Sequence, residues 1–421
     1  MTTSNDSNLL LFIIFIIIII LIYYNVTKYS QNSDKFIVNL IERNTVIKIV
    51  YKNQDKEIVS TQAPNNIITV NNEKMFDMIA RTGELGLAES YIKGYWDTSD
   101  LENILSILIK NNNKLTCDIK KNNLQFIILA LSSHIKSMQP SNTIDSSKTN
   151  IASHYDIGND LYTKMLGKSM MYTCAYFNKN DMTLDEAQYA KMELIAKKLN
   201  LTKGMTVLDI GCGFGSMAYH LANKYDVIVT GVTLSKEQKN YADTHFNHKN
   251  VTIELKDYRH VTNKFDRVYS IGMFEHVGRD NYKTYYDKCN ELLKDDGIML
   301  LHTIGIKNPS KWDHNCFISK YIFPGGELPR MTDVIKDYTY QWHLEDFQNF
   351  GLSYAKTLRC WRENIGNWEG LDEYDTVFRR KWDFYLLGCA AAFQNRDIYL
   401  WQFVYTKYNS NREDDCHHIR G

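Results

Sequence analysis

The run "MTVLDIGCGFG", Met205 to Gly215, constrains this chain more than any other stretch, because an apolar strand drives straight into three glycines. It opens a series. "DVIVTGVTLS", "VTIELKD", "FDRVYSIGMF" and "GIMLLHTIG" follow as near-continuous apolar runs separated by helical segments, and "DIYLWQFVYTK" supplies a last strand near the C-terminus. Strands that are apolar throughout and alternate with helices predict an α/β domain on a doubly wound, Rossmann-like parallel sheet, spanning residues 151–421. Between Pro309 and Arg380 an aromatic-rich insertion is placed to roof the sheet's C-terminal edge.

Ligands of such sheets bind outside the carboxyl ends of the strands. Gly211, Gly213 and Gly215 stand at one of those ends, where a missing Cβ lets backbone approach a ligand. Their spacing is G-x-G-x-G, not the dinucleotide G-x-G-x-x-G. A dinucleotide site also wants an acid ending the second strand, and "GVTLSKEQ" puts Thr233 and Leu234 there, which argues against a dehydrogenase. Ser235 and Gln238 have the spacing of a capping box for the next helix, and Gln238 is equally placed to face a ligand. Asp257 and Tyr258 follow the third strand as a polar–aromatic pair suited to bracketing an adenine.

Upstream, "KFIVNLIERNTVIKIVYK" and "NIITVN" read as short β-branched strands. "DLENILSILIKN" reads as an amphipathic helix capped by Asp100, with Leu101, Ile104, Leu105 and Leu108 on one stripe. Residues 31–136 are therefore expected to form a small α+β domain, and the breaker-rich residues 137–150 a linker. The first 30 residues differ. No charge falls between Asp6 and Lys28, and Leu9 to Ile22 is an unbroken apolar run edged by Tyr23 and Tyr24. The run is slightly short of the roughly 20 residues that span a bilayer. A cleaved signal wants positive charge before the run and small residues after it, and neither is present. The expectation is an N-terminal transmembrane helix acting as a single-pass anchor, with a cleaved signal or a hydrophobic hairpin as alternatives. Lys28, Lys35 and Arg43 put the large domain on the cytosolic side of the membrane.

Lys and Arg together number 49, as do Asp and Glu, so no basic excess points to nucleic acid. Eight cysteines are scattered without a C-x-x-C pair, so no metal site is expected and the thiols read as reduced.

Two resemblances then sharpen the reading. "LDIGCGFG", with Asp209 ahead of the glycines, resembles motif I of S-adenosylmethionine-dependent methyltransferases. "HYDIGNDLY", "YTCAYF", "VLDIGCGFG", "GVTLSKEQ", "GMFEHVG", "LLHTIG" and "KYIFPGG", in that order, resemble the cyclopropane-fatty-acyl-phospholipid synthases, and "GELGLAESYIKGYW" looks like the N-terminal domain of the full-length bacterial type. The likeness runs from about residue 36 to 408; the hydrophobic N-terminus departs from it. It implies a methyltransferase sheet, S-adenosylmethionine as methyl donor, unsaturated phospholipid acyl chains as substrate, and a homodimer. In the family a bicarbonate ion serves as base. Carried over by motif, its holders are Cys174 and Ile304 through their main chains, with Glu275, His302 and Tyr354. Tyr172, Thr173, Asp209, Gly211, Gly213, Gly215, Thr233, Leu234, Gln238, Asp257 and Tyr258 fall at cofactor-binding positions.

That chemistry explains why a Glu should end an apolar run. An alkene that takes up a methyl cation becomes a carbocation, and a base must remove a proton for the ring to close. The site must exclude water and stabilise positive charge without a strong nucleophile, which aromatic faces do; the chain has 28 Tyr and is 13% aromatic. A buried Glu275 costs several kcal/mol unless partnered, whereas capping the next helix is its plainer role. His276 reads as structural, and Cys174 as a main-chain contributor, since transfer to an alkene needs no covalent enzyme intermediate. Quenching the same cation by hydride shift or reduction gives a methyl-branched chain. A non-catalytic membrane-tethered lipid-binding module is the alternative of a different class.

Overall fold

The computed structural model describes residues 33–52, 66–121, 158–307, 316–336, 340–410 and 417–419. The chain divides into two compact units, residues 1–136 and 137–421. The expected anchor (residues 1–30) and linker (137–150) lie outside the described residues. Among the described residues no helix is long and apolar enough to cross a membrane.

The first unit comprises α1 (Ser33–Asn44), β1 (Lys48–Tyr51), β2 (Ile67–Val70), α2 (Lys74–Thr82), α3 (Glu84–Ile92), β3 (Trp96–Asp97) and α4 (Leu101–Lys121). Its sheet runs β1-β2-β3, with β1 and β2 parallel and β3 antiparallel to β2. One expectation fails here: "KFIVNLIERN" is helical. Ile37 and Ile41, four residues apart, are both buried on one face of α1, so packing at helical spacing overrides β-branched propensity. In α4, Asp100 caps as expected by accepting from the Asn103 amide at 2.9 Å. Leu101, Ile104 and Leu105 are buried, and Leu108 is half-buried.

The second unit contains α5 (Asn159–Leu166), α6 (Leu184–Leu199), β4 (Thr206–Ile210), α7 (Ser216–Tyr225), β5 (Ile228–Thr233), α8 (Lys236–His245), β6 (Val251–Leu255) and β7 (Phe265–Ile271). It continues with α9 (Tyr282–Leu292), β8 (Leu293–Ile306), α10 (Cys316–Tyr321), α11 (Met331–Val334), β9 (Trp342–Asn349), α12 (Gly351–Ile365), α13 (Thr376–Gln394) and β10 (Ile398–Lys407). The seven-stranded sheet has the order β6-β5-β4-β7-β8-β10-β9. β6 to β8 are parallel as expected, but β10 runs antiparallel between β8 and β9, so the sheet is mixed.

The Pro309–Arg380 insertion is likewise more than a roof, because it contributes β9, α12 and the start of α13. β9 reads "WHLEDFQN", too charged to register as a strand from its pattern. A buried ion pair secures it: Lys198 Nζ on α6 lies 3.1 Å from Asp346 Oδ2 and donates to Gln348 Oε1 at 2.8 Å. Removing one partner of a buried pair leaves an uncompensated charge, at a cost of about 3–5 kcal/mol. Asp346→Ala is therefore expected to lower the stability of this unit by about 3 kcal/mol in urea unfolding; a loss under 1 kcal/mol would show that the pair does not hold the edge strand.

Candidate active site

A cleft opens at the carboxyl ends of β4, β5, β6 and β7, and most of the expected cofactor positions line it. Gly211 and Gly213 form its floor. Gly211 has φ +82°, and a Cβ there would stand 2.8 Å from Met273 Cβ, so both its conformation and its neighbour require glycine. Asp209 is buried and accepts from Tyr269 Oη at 2.7 Å; burial, opposed by that bond, pushes its pKa up to about 7. Thr233, Leu234, Gln238, Asp257 and Tyr258 supply one wall, and Tyr172 and Thr173 the other. Gly215 is absent from the lining. It begins α7 with φ +86°, and a Cβ would meet Ala242 of α8 at 2.8 Å, so it serves helix packing.

Two polar residues in this wall behave differently from their sequence pattern. The Ser235 hydroxyl accepts from the Gln238 amide at 3.2 Å, as a cap should. The Gln238 side chain, however, does not return to close the box: its Oε1 accepts from Thr233 Oγ1 at 2.8 Å, at the cleft. Asp257 is held bidentately by Arg259, at 2.8 and 2.7 Å. Burial raises its pKa, but these bonds outweigh it and keep the carboxyl below its ordinary value.

The five residues expected around the base are not in the cleft lining; the structure gathers them beside it. Glu275 lies beyond β7 in a 3-10 turn, Phe274–His276, and not on the strand. Its Oε1 accepts from the Ile304 amide at 2.7 Å, so the Ile304 N–H is committed to Glu275. His302 and Ile304 come from β8, and the Gly272 amide donates to the His302 carbonyl at 2.9 Å, which ties the turn to that strand. Burial lifts the Glu275 pKa to about 7 against the pull of the Ile304 amide. Burial, then the charges of Lys191 and Lys198, holds His302 well below its ordinary value, hence neutral. Glu275 Oε2 and His302 Nε2 are both buried without a hydrogen-bond partner.

Cys174 and Tyr354 reach the same neighbourhood from irregular chain and from α12. Burial first, then the proximity of Cys174 and Glu275, holds the Tyr354 phenol protonated. The Cys174 thiol donates to the Ala175 carbonyl at 3.1 Å, and burial pushes its pKa up, the reverse of an activated nucleophile. Residues 171–177 have no regular structure, and two helices staple them in place. From α6, Gln188 Nε2 donates to the Thr173 carbonyl at 3.0 Å and Lys191 Nζ to Thr173 Oγ1 at 2.7 Å. From α12, Thr357 Oγ1 accepts from the Ala175 amide at 3.0 Å. Thr173 in turn packs against Gly272, where a Cβ would lie 2.8 Å from Thr173 Cγ2. The cleft lining and the Glu275–His302 neighbourhood thus share a boundary at Gly272.

Comparison with known proteins identifies the family of this fold. The family model of mycolic acid cyclopropane synthetase matches residues 142–403. The cyclopropane-fatty-acyl-phospholipid synthase of Escherichia coli (strain K12) is 41% identical over 355 residues, covering 83% of this chain and 90% of that one. The chain belongs to this family. A probable fatty acid methyltransferase of Pseudomonas putida is 38% identical over 273 residues, covering 61% of this chain and 68% of its own. Among solved structures, mycolic acid cyclopropane synthase CmaA1 complexed with SAH and CTAB superposes with a TM-score of 0.58 at 35% identity, covering 61% of this chain and 97% of that one. S-adenosylmethionine-dependent methyl transfer is accordingly the chemistry of this fold and cleft.

Several site residues escape the motifs. His276 lines the cleft because the turn breaks the strand alternation that would have pointed it away. Gln188 and Lys191 sit one helical turn apart on the buried face of α6, which also carries Lys198 and is otherwise apolar; polar residues at that spacing are the signal present in the sequence. Gln402 of β10, within 3.0 Å of His302 Nδ1, has no local signal at all.

The buried Glu275 has a consequence for stability. A carboxyl whose folded pKa exceeds its ordinary 4.5 favours the fold when protonated; that contribution is complete below pH 4.5 and is lost as pH rises through about 7. Its ionisation therefore costs the fold on the order of 3 kcal/mol above neutrality. Glu275→Gln keeps an acceptor for the Ile304 amide and removes the charge. It is expected to unfold at higher urea than the parent at pH 8, with the difference shrinking toward pH 5; equal stability at pH 8 would mean Glu275 ionises without penalty.

Proposed function

We propose that this protein adds a methylene group from S-adenosylmethionine across the double bond of unsaturated acyl chains in membrane phospholipids, forming cyclopropane fatty acids. The observation that carries the reading is the leftover pair, Glu275 Oε2 and His302 Nε2, buried and unpartnered beside the cofactor cleft. Orphaned buried polar atoms are costly, and an unpartnered carboxyl oxygen on Glu275, whose other oxygen holds the amide two residues from an unpartnered His302 ring nitrogen, suits a bicarbonate ion, which carries both an O–H and negative oxygens. When bound, S-adenosylmethionine supplies the methyl group and bicarbonate accepts the proton whose loss closes the ring.

The residues around the pair meet the remaining demands. Gly211 and Gly213 leave room for the cofactor's close approach, and Asp257 and Tyr258 flank its adenine. Glu275 and His302 hold the anion, with Tyr354 and the Cys174 main chain closing the site; the Ile304 main chain contributes by orienting Glu275. An aromatic shell keeps water out and offers ring faces to a carbocation on the acyl chain. Tyr172 lies 5.2 Å from Trp361, and Trp361 lies 6.0 Å from Tyr354. Phe323 stands 6.2 Å from Tyr172 and 5.9 Å from Tyr385. Methyl branching from the same cation is the second reading, favoured by the likeness to the Pseudomonas putida protein.

Lipid mass spectrometry on a host with monounsaturated phospholipids separates these. Expression of the chain should add one CH2 to its monoenoic lipids, in a form that resists hydrogenation, and Glu275→Gln should abolish the gain. A gain of one CH2 plus two hydrogens would replace cyclopropanation by methyl branching, and cofactor binding without any lipid change would overturn both.

The apolar N-terminal run fits the substrate's location. Residues 1–30 are read as a single-pass anchor that keeps the catalytic unit on the cytosolic face, raising the effective concentration of a lipid substrate. A homodimer, as the family resemblance implies, belongs to the same reading. A variant lacking residues 1–32 should keep cofactor affinity and lose most membrane association and most lipid conversion in cells; unchanged membrane fractionation would remove the anchor from the account.

A further inference from the structure

His302 is held from behind by one residue, and that residue decides which ring nitrogen carries the proton. Gln402 on β10 stands directly opposite His302 on β8 in the antiparallel register. Its Nε2 lies 3.0 Å from His302 Nδ1. Both side chains are buried, Gln402 completely and His302 to within 1% of exposure. We infer that Gln402 is a positioning residue for the reaction, fixing His302 as the tautomer with its proton on Nε2, aimed at the anion beside Glu275.

With the Gln402 amide oriented as found, the donors and acceptors leave one arrangement. A carboxamide nitrogen only donates, so the Nδ1 that faces it must carry the lone pair. His302 is neutral, so its single ring proton then sits on Nε2. Among the described residues that nitrogen has no hydrogen-bond partner, and neither has Glu275 Oε2. One N–H and one carboxyl oxygen are thus left to meet a ligand.

Reversing the amide would change the site's character. Gln402 Oε1 would then accept from Nδ1–H, leaving the Nε2 lone pair facing the anion next to a carboxyl oxygen. Two acceptors facing an anion repel it. With the amide as found, the unpartnered atom is Gln402 Oε1, on the side away from Nδ1. An imidazole without such a lock partitions between two tautomers, and only one of them binds the anion. Hydrogen bonds of this kind, made behind a functional histidine, set its ring orientation in metal sites. The antiparallel strand is what makes the contact: β10 places Gln402 across from His302, whereas β7, the parallel neighbour, sets Ile271 there.

This inference rests on the bicarbonate reading, so the test must separate the two. Histidine-selective ¹⁵N labelling of the full chain, with His302→Gln to identify the signals, reports the tautomer directly. The expected result is a protonated Nε2 and an unprotonated, hydrogen-bonded Nδ1 at His302 in the parent protein. Gln402→Leu should make the two nitrogens more alike. It should also raise the bicarbonate concentration for half-maximal rate at least fivefold, with affinity for S-adenosylhomocysteine unchanged. A proton on Nδ1 in the parent, or an unchanged bicarbonate dependence in Gln402→Leu, would overturn the inference. Because the parent spectrum needs no variant, a Gln402→Leu protein that fails to fold leaves the tautomer decided. If the parent's rate ignores bicarbonate altogether, the base assignment fails, and the positioning role of Gln402 fails with it, whatever the tautomer.

Discussion

The second unit is organised around a buried carboxyl with one oxygen satisfied and one not. Glu275 Oε1 takes the Ile304 amide, which occupies an N–H near the C-terminal end of β8. The Glu275 carbonyl meanwhile accepts from the Glu327 amide at 2.8 Å, so the same residue positions the 323–330 segment. A turn that did only this would be better served by an uncharged residue. The raised pKa of Glu275 measures the cost of keeping a carboxyl there, and functional sites are where such costs are kept.

Burial in this region also explains the division of labour among the titratable groups. Lys191 is completely buried, and desolvation brings its pKa down to about 7. Its amine reaches Thr173, which lines the cleft, and its field reaches His302. The helix that carries it, α6, also carries Lys198, which secures the outer strand through Asp346. One helix therefore braces the irregular 171–177 segment at one end and the sheet edge at the other. The neutral state of His302 follows from this setting, since a third cation beside two lysines in a desolvated space is strongly disfavoured.

The aromatic residues serve a related end. Around Tyr172 they form a continuous set of tilted and edge-on contacts through Trp361, Phe323 and Tyr385, and Tyr172 Oη meets Tyr385 Oη at 2.8 Å. Such a wall is dry yet carries negative ring faces, a combination that aliphatic packing cannot offer. Two of these rings, Phe323 and Trp361, come from the Pro309–Arg380 insertion. A segment whose composition suggests a covering thus brings both the edge strand and the Phe323 and Trp361 rings that pack on Tyr172.

How much of this is legible in the sequence depends on the range of the interaction. The glycine-terminated β4, the parallel run of strands, the Asp100 cap and the cofactor wall are written in short stretches, because turn chemistry and strand burial act over a few residues. The helix α1 departs from its sequence pattern for the converse reason: its β-branched composition is local, while the core that buries Ile37 and Ile41 is not. The antiparallel β10, the charged strand β9 secured by Lys198, and the contact of Gln402 with His302, 100 residues apart in the chain, belong to tertiary structure alone. From its sequence this protein had its family's chemistry and its residue types determined, since the glycines ending β4, and Glu275 and His302 after their apolar runs, stand in short recognisable stretches. Which atoms of those residues are satisfied, and which remain to hold a ligand, was decided only when distant strands came into register, because a hydrogen bond is settled by position and not by composition.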